Sequence, residues 1–220
     1  MKTTKALRIG LAAAGMALAS LVACCAAKIP VEPAPIGGPE RLVIDTRDPE
    51  AYAHGHAPGS LNIQLTWHQL EDRTLSYVPD LARPIALRAS SLSNAEQGAA
   101  ILQELGYSDV ALFEADGAAD SGTIELMMAD DLAKVIAAGT PPMIIDIREQ
   151  SEFDDGVIGI AKLVDQDEGP AAVEGLDKNA RYLVICEGGW RSSQLASWMK
   201  IQGFTDVVNV LDGMAGWRDL

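Results

Sequence analysis

An α/β protein made of two consecutive parallel-sheet domains is the fold class this sequence predicts, and three observations predict it. From Arg41 onward, short apolar runs of strand length alternate with helical patterns, as in parallel strands joined by crossover helices. The same order then recurs. Asp45-Thr46-Arg47 returns as Asp146-Ile147-Arg148, an offset of 101 residues (45 to 146). Gly106-Tyr107-Ser108-Asp109-Val110 returns as Gly203-Phe204-Thr205-Asp206-Val207, an offset of 97 (106 to 203), so the second copy has lost four residues. Finally, 220 residues suffice for two domains of about 100 residues, each able to bury a core.

The chain opens with Lys2, Lys5 and Arg8 before an uncharged Ala- and Leu-rich run from Ile9 to Ala27, the charged and apolar regions of a bacterial export signal. The run is also long enough to be weighed as a membrane-spanning helix. Leu21-Val22-Ala23-Cys24 resembles the lipobox of bacterial lipoproteins, in which the signal is cut before the cysteine and the cysteine is acylated. The resemblance implies a signal peptide over 1–23, lipidation of Cys24, and a protein held by its lipid on the periplasmic side of the cell envelope. An uncleaved anchor and a soluble secreted product are the alternatives. Residues 24–39 contain Ile29-Pro30-Val31-Glu32-Pro33-Ala34-Pro35-Ile36-Gly37-Gly38-Pro39, which reads as a tether.

In the first copy, 40–120, Leu42-Val43-Ile44 is a strand, Pro49 to Ala53 a helix starting after Asp48, and Leu61-Asn62-Ile63 a strand. Trp67 to Leu70 reads as helical. Pro84-Ile85-Ala86-Leu87 is a strand, Asn94 to Leu105 a helix closed by Gly106, and Val110 to Phe113 a strand. In the second copy, 121–220, Leu126 to Ala138 reads as helix, Met143 to Asp146 as strand, Ser151 to Asp155 as helix and Lys162 to Val164 as strand. A helical or irregular stretch near Ala171 to Leu176 follows, then the strand Tyr182 to Ile185, a helix from Ser192 to Ile201, and the strand Val207 to Leu211.

The chemistry concentrates at Cys186-Glu187-Gly188-Gly189-Trp190-Arg191, between that last strand–helix pair. The two glycines would let successive N–H groups point inward and, with the positive helix end, form an anion nest that favours thiolate. Arg191 would add a fixed charge at the same point. Trp190 would shape the pocket mouth or pack between the copies. The C-x4-R loop after a strand resembles the active-site loop of the rhodanese (sulfurtransferase) family, whose cysteine carries a persulfide. Ile144-Ile145-Asp146-Ile147-Arg148 with Glu152-Phe153 resembles that family's opening, and Leu211-Asp212-Gly213-Met214-Ala215-Gly216-Trp217 its ending. Tyr52 to Ile63 resembles its first-helix motif.

The resemblance implies two tandem rhodanese-like domains, each a parallel sheet flanked by helices on both faces. Cys186 and Arg191 are then the catalytic pair, and Glu187, Gly188, Gly189 and Trp190 form the substrate-binding loop. Sulfane sulfur would pass from a small donor, thiosulfate or a persulfide, through Cys186 to a thiol, a cyanide-like acceptor or a protein acceptor, with no metal and no cofactor. The alternative is a non-catalytic, membrane-tethered binding or sulfur-carrier module. Asp146 and Arg148 would buttress the sheet edge. Glu187, beside the cysteine, would repel both thiolate and an anionic donor. In the first copy Ala89 stands at the place of Cys186 and Asn94 at that of Arg191, so that copy is expected to be structural, or a wall of its twin's pocket.

Several classes are disfavoured. A net charge of −14 argues against nucleic acid. His54, His56 and His68 all lie in the first copy, leaving no imidazole for a Cys-His hydrolase. Four residues between Cys186 and Arg191, rather than the five of cysteine phosphatases, suit a sulfur atom better than a tetrahedral oxyanion. If Cys24 is acylated, Cys25 and Cys186 remain as thiols that an oxidising compartment could pair.

Overall fold

The computed structural model describes residues 33–34, 41–113, 120–164 and 169–220, so the export signal, Cys24 and Cys25 lie outside the described residues. The first domain contains β1 (Pro33–Ala34), β2 (Leu42–Asp45), α1 (Pro49–His54), β3 (Leu61–Asn62), α2 (Gln69–Tyr77), β4 (Ile85–Arg88), α3 (Leu92–Glu104) and β5 (Val110–Phe113). The second contains β6 (Glu125–Met127), α4 (Ala129–Ala137), β7 (Met143–Asp146), α5 (Gln150–Asp154) and β8 (Lys162–Leu163). It continues with a 3-10 turn (Gly169–Val173), β9 (Arg181–Ile185), α6 (Trp190–Ile201), β10 (Asp206–Val210) and α7 (Gly213–Arg218).

Each domain is a five-stranded, all-parallel sheet flanked by helices, in the orders β1-β5-β4-β2-β3 and β6-β10-β9-β7-β8. The two orders superimpose strand for strand. Leu61 of β3 corresponds to Lys162 of β8 at an offset of 101, whereas Ile85 of β4 corresponds to Tyr182 of β9 at 97. The four-residue deletion therefore falls between β8 and β9. There the first domain carries a 3-10 turn (Thr66–His68) and the nine-residue helix α2, and the second, among the described residues, its 3-10 turn.

Three sequence expectations are corrected. Pro33–Ala34, inside the segment read as tether, pairs with Leu112 and Phe113 as an edge strand, with Pro33 its first residue, where a missing N–H is tolerated. The helix expected over Leu126–Ala138 is a strand followed by a helix: Leu126 pairs with Asn209, and α4 begins at Ala129, whose N–H donates to Asp212 Oδ1 at 2.9 Å. A short apolar run cannot by periodicity alone be told from a strand. The helical stretch at Trp67–Leu70 continues to Tyr77, because Leu70, Thr74 and Tyr77 repeat at helical spacing on a buried face. Elsewhere local signals act as read: Asp48 Oδ1 caps α1 at 2.7 Å from Ala51 N, with Pro49 in the first turn.

The domains share a core. Tyr52, Ala53 and Ile124 join Val184, Leu195 and Met199 in one cluster, while Trp198 and Ile201 of α6 pack into the core of the first domain. The chain leaves the first domain along α1, through paired bonds between His56 and Gly122 and one from Ile124 N to Ala53 O. Helix α6 is thus buried on nearly every side, its Ser192, Ser193, Gln194 and Ser197 included. Ser193, Gln194 and Ser197 are satisfied across the interface. Ser193 Oγ donates to Asn62 Oδ1 at 2.6 Å, Asn62 N donates to Ser197 Oγ at 3.0 Å, and Gln194 Nε2 donates to Gln64 and Gln69 at 3.2 and 3.0 Å.

Candidate active site

β9 is apolar through Ile185 and delivers Cys186 to the carboxyl edge of the sheet, where the sulfur is a free, buried thiol, 1% exposed. No disulfide joins Cys186 to another described residue. The loop behind it is held from the rear. Met214 N and Ala215 N, at the start of α7, donate to the carbonyls of Cys186 and Glu187 at 2.8 and 3.0 Å, and Asn209 Nδ2 donates to Gly189 O at 3.1 Å. In a trans peptide the next N–H points opposite its carbonyl. The N–H groups of Glu187, Gly188 and Trp190 therefore turn away from α7 and β10, and with the first turn of α6 they form an anion nest.

The two loop glycines differ. Gly189 has φ +81°, and a Cβ there would lie 2.1 Å from Leu211 O, so only glycine fits. Gly188 has room: its nearest neighbour is Trp190 Cδ1 at 3.9 Å. Gly213 is as constrained as Gly189, with φ +58° and a Cβ 2.4 Å from Cys186 O. Its role is to let α7 approach the loop.

Helix α6 starts at Trp190 rather than at Ser192, which puts Arg191 in its first turn. The guanidinium does not project as an isolated charge. Both Nη atoms bind Glu152 of α5 at 2.6 Å, and Glu152 Oε2 also accepts from Glu149 N at 3.1 Å. Burial would lower the Arg191 pKa, but the Glu152 pair and the nearby Cys186 outweigh it and raise it. The Arg191 hydrogen bonds likewise hold the Glu152 carboxyl below its usual range despite burial. Arg191 thus clamps the loop to α5. One residue missed by sequence reasoning is Ser192, whose Oγ donates to Cys186 Sγ at 3.4 Å. Its signal was available in the serine directly after the arginine of the loop.

Glu187 also departs from expectation. Its carboxylate contacts Arg218 of α7 and lies 4.0 Å from Arg148 Nη1, so its repulsion of the sulfur is offset at the loop itself. Arg148, 1% exposed, has the expected structural role. It binds Asp146 through Nε and Nη2 at 2.8–3.1 Å and donates to the carbonyls of Glu152 and Gly156. Arg47, Asp45 and the Gly55 carbonyl repeat that bracket in the first domain.

Cys186, Glu187, Gly188, Trp190 and Arg191 line a cavity of about 500 Å³ together with Glu149 and, from α2, Gln69 and Arg73. Trp190 is a wall residue; the packing between copies belongs to Trp198. The first domain's equivalent loop has turned to capping. Ser91 Oγ accepts from Asn94 N at 3.2 Å and Asn94 Nδ2 donates to Ser90 Oγ at 3.0 Å, while Arg88, at the place of Ile185, pairs with Asp120. His56 is buried, stacked on Tyr52 at 3.9 Å and bonded to Tyr52 O at 2.8 Å. Among the described residues no cluster of His, Cys, Asp or Glu is placed to hold a metal.

A duplicated parallel-sheet domain, with a free thiol at a strand end of the second copy and none at the matching place of the first, defines a class of paired α/β domains. Matches to the Rhodanese-like domain over residues 34–116 and 128–220 make the family explicit, and the chain belongs to it. It is similar to the "Putative sulfurtransferase YtwF" of Bacillus subtilis, 36% identical over 87 residues, 40% of this chain and 84% of that protein. It is similar also to the "Putative sulfur carrier protein YrkF" of the same organism, 35% identical over 74 residues, 34% of this chain and 40% of that protein. A third relative is the "Thiosulfate sulfurtransferase GlpE" of Pseudomonas putida, 33% identical over 76 residues, 34% of this chain and 69% of that protein.

Proposed function

We propose that the chain is a rhodanese-type sulfurtransferase that moves sulfane sulfur from thiosulfate or a persulfide, through a persulfide on Cys186, to a thiol, cyanide-like or protein acceptor. The observation that carries this reading is the setting of Cys186: a free thiol in a nest of backbone N–H groups, with the Ser192 hydroxyl on its sulfur. The names of its relatives, two of which call them sulfurtransferases, support it. The thiolate attacks the outer sulfur of the donor, and the loop N–H groups stabilise the persulfide anion. An acceptor then takes the terminal sulfur and restores the thiolate. Arg191, through Glu152, keeps the loop in register. A carrier that holds the persulfide for a partner, as one relative's name describes, is the second reading.

The test is intact mass of the protein before and after thiosulfate, then after cyanide. A gain of one sulfur that cyanide removes, absent in Cys186→Ser, is the expected result. A sulfur that loads but reaches no small acceptor moves the assignment to the carrier, and no loading from any donor removes it.

We propose further that Cys24 is acylated and holds the protein on the periplasmic side of a bacterial membrane. Labelling of the wild type but not of Cys24→Ala by a radioactive fatty acid in cells would support this; equal labelling would overturn it.

A further inference from the structure

One position of β10 holds a residue that a buried parallel strand does not call for. Asn209 is 1% exposed and lies on the same face of the sheet as Val207, which packs with Leu195 and Met199 of α6. It pairs with Val184 as Leu112 pairs with Leu87, so Leu112 is its counterpart in the first domain, at the offset of 97 (112 to 209). There an apolar side chain packs beneath α3 with Ala95, Ala99 and Leu102. Leucine and asparagine have the same branching and nearly the same size; only the amide differs.

Stability does not account for that amide. Nδ2 donates to Gly189 O at 3.1 Å, but Oδ1 is buried and has no partner among the described residues. A buried acceptor left unpaired costs at least as much as one neutral hydrogen bond returns. Nor would Gly189 O be left empty without Asn209, since Ser193 N donates to the same oxygen at 3.1 Å. What the second bond adds is direction. Gly189, at φ +81°, precedes α6 and has no side chain to restrain it. With donors from both α6 and β10 on one carbonyl, the plane of the Gly189–Trp190 peptide is fixed, and so is the Trp190 N–H on its opposite side. That N–H belongs to the nest around Cys186. At the matching turn of the first domain Ser91 caps α3 and no thiol follows β4, so Leu112 has no such peptide to orient.

We propose that Asn209 is a positioning residue for sulfur transfer: from β10 it holds the Trp190 N–H in the nest that receives the charge of the Cys186 sulfur, at a cost in stability that Leu112 does not carry. The inference rests on the sulfur-transfer reading above. A donor fixed in advance stabilises an anion without reorganising when the charge arrives, which is what a nest contributes to both the thiolate and the persulfide anion.

The experiment compares the full-length wild type with Asn209→Leu, which puts the first domain's residue at this place, and Leu112→Asn, which puts the amide beneath α3. Three quantities are read: the urea midpoint, the pH profile of iodoacetamide alkylation at Cys186 by peptide mass, and the rate of sulfur loading from thiosulfate by intact mass. In loading, Cys186 Sγ bonds to the outer sulfur, and sulfite leaves with the electron pair of the broken sulfur–sulfur bond. Asn209→Leu is expected to unfold at a urea concentration no lower than wild type, to shift the alkylation profile upward by about 0.5–1 pH unit, and to load about tenfold more slowly. Leu112→Asn is expected to lower the urea midpoint and to leave alkylation and loading as in wild type. Unchanged alkylation and loading in Asn209→Leu, beside a wild type that loads, overturns this assignment alone. So does an Asn209→Leu that fails to fold or loses loading only in step with stability, and so does equal slowing in Leu112→Asn, since each would report a structural bond. A wild type that takes no sulfur from thiosulfate or any persulfide overturns the proposed function and this assignment with it.

Discussion

The two glycines of the Cys186 loop look alike in sequence and make opposite predictions. At Gly189 an alanine would adopt φ +81° and place its Cβ 2.1 Å from Leu211 O. The left-handed backbone costs roughly 1–2 kcal/mol for a residue with a side chain. The contact is with backbone at the end of β10, which cannot rotate aside, so the loop must separate from β10 at a further cost of about 1–3 kcal/mol. A Gly189→Ala variant is therefore expected to lose about 2–5 kcal/mol in urea unfolding. Because the separation breaks the Asn209–Gly189 bond that orients the nest, sulfur loading should fall by more than the folded fraction does. Gly188→Ala, with its nearest contact at 3.9 Å, should unfold within about 0.5 kcal/mol of wild type and load sulfur at a comparable rate. Equal stability of the two variants would refute the argument, as would full loading by Gly189→Ala.

Ser192→Ala removes the hydroxyl on Cys186 Sγ while leaving α6 intact; alkylation of Cys186 by iodoacetamide should slow roughly three- to tenfold, and no change would show that the hydroxyl does not tune the sulfur. His56 is held below its ordinary pKa by burial, against the pull of the Tyr52 carbonyl. The fold therefore prefers the neutral ring, and the stability it contributes is complete above the unfolded pKa, about 6.5, and lost as pH falls toward the depressed folded value. Urea midpoints should drop between pH 7 and pH 5 in wild type and stay level in His56→Gln; parallel slopes would contradict this. Asp120 and Glu152, both held low by arginine partners, lose their contribution progressively from about pH 5 downward, below most of the histidine window.

What the sequence made legible was whatever is encoded within one strand–turn–helix unit. The apolar run into Cys186, the paired Asp–Arg brackets at 45/47 and 146/148, and the duplication itself are local patterns, and all reappear in the fold. The features it hid depend on partners far along the chain. β6 could not be separated from α4 because its identity as a strand comes from pairing with β10, some 80 residues later, and the cap of α4 is the remote Asp212. Glu187 looked hostile to an anion until Arg218 folded against it. Arg73 carries no motif at all; only the docking of α2 on α6 brings it to the cavity.

Among the described residues α2 has no counterpart in the second domain, which makes the two halves of the duplication unequal. Each half has the same strand order and the same Asp–Arg bracket. The half with α2 walls its neighbour's cavity through Gln69 and Arg73, and among the described residues the other half offers no such helix in return. Transplanting the Cys186 loop onto residues 89–94 would thus bring a thiol to a strand end that lacks, among the described residues, the wall α2 gives its twin.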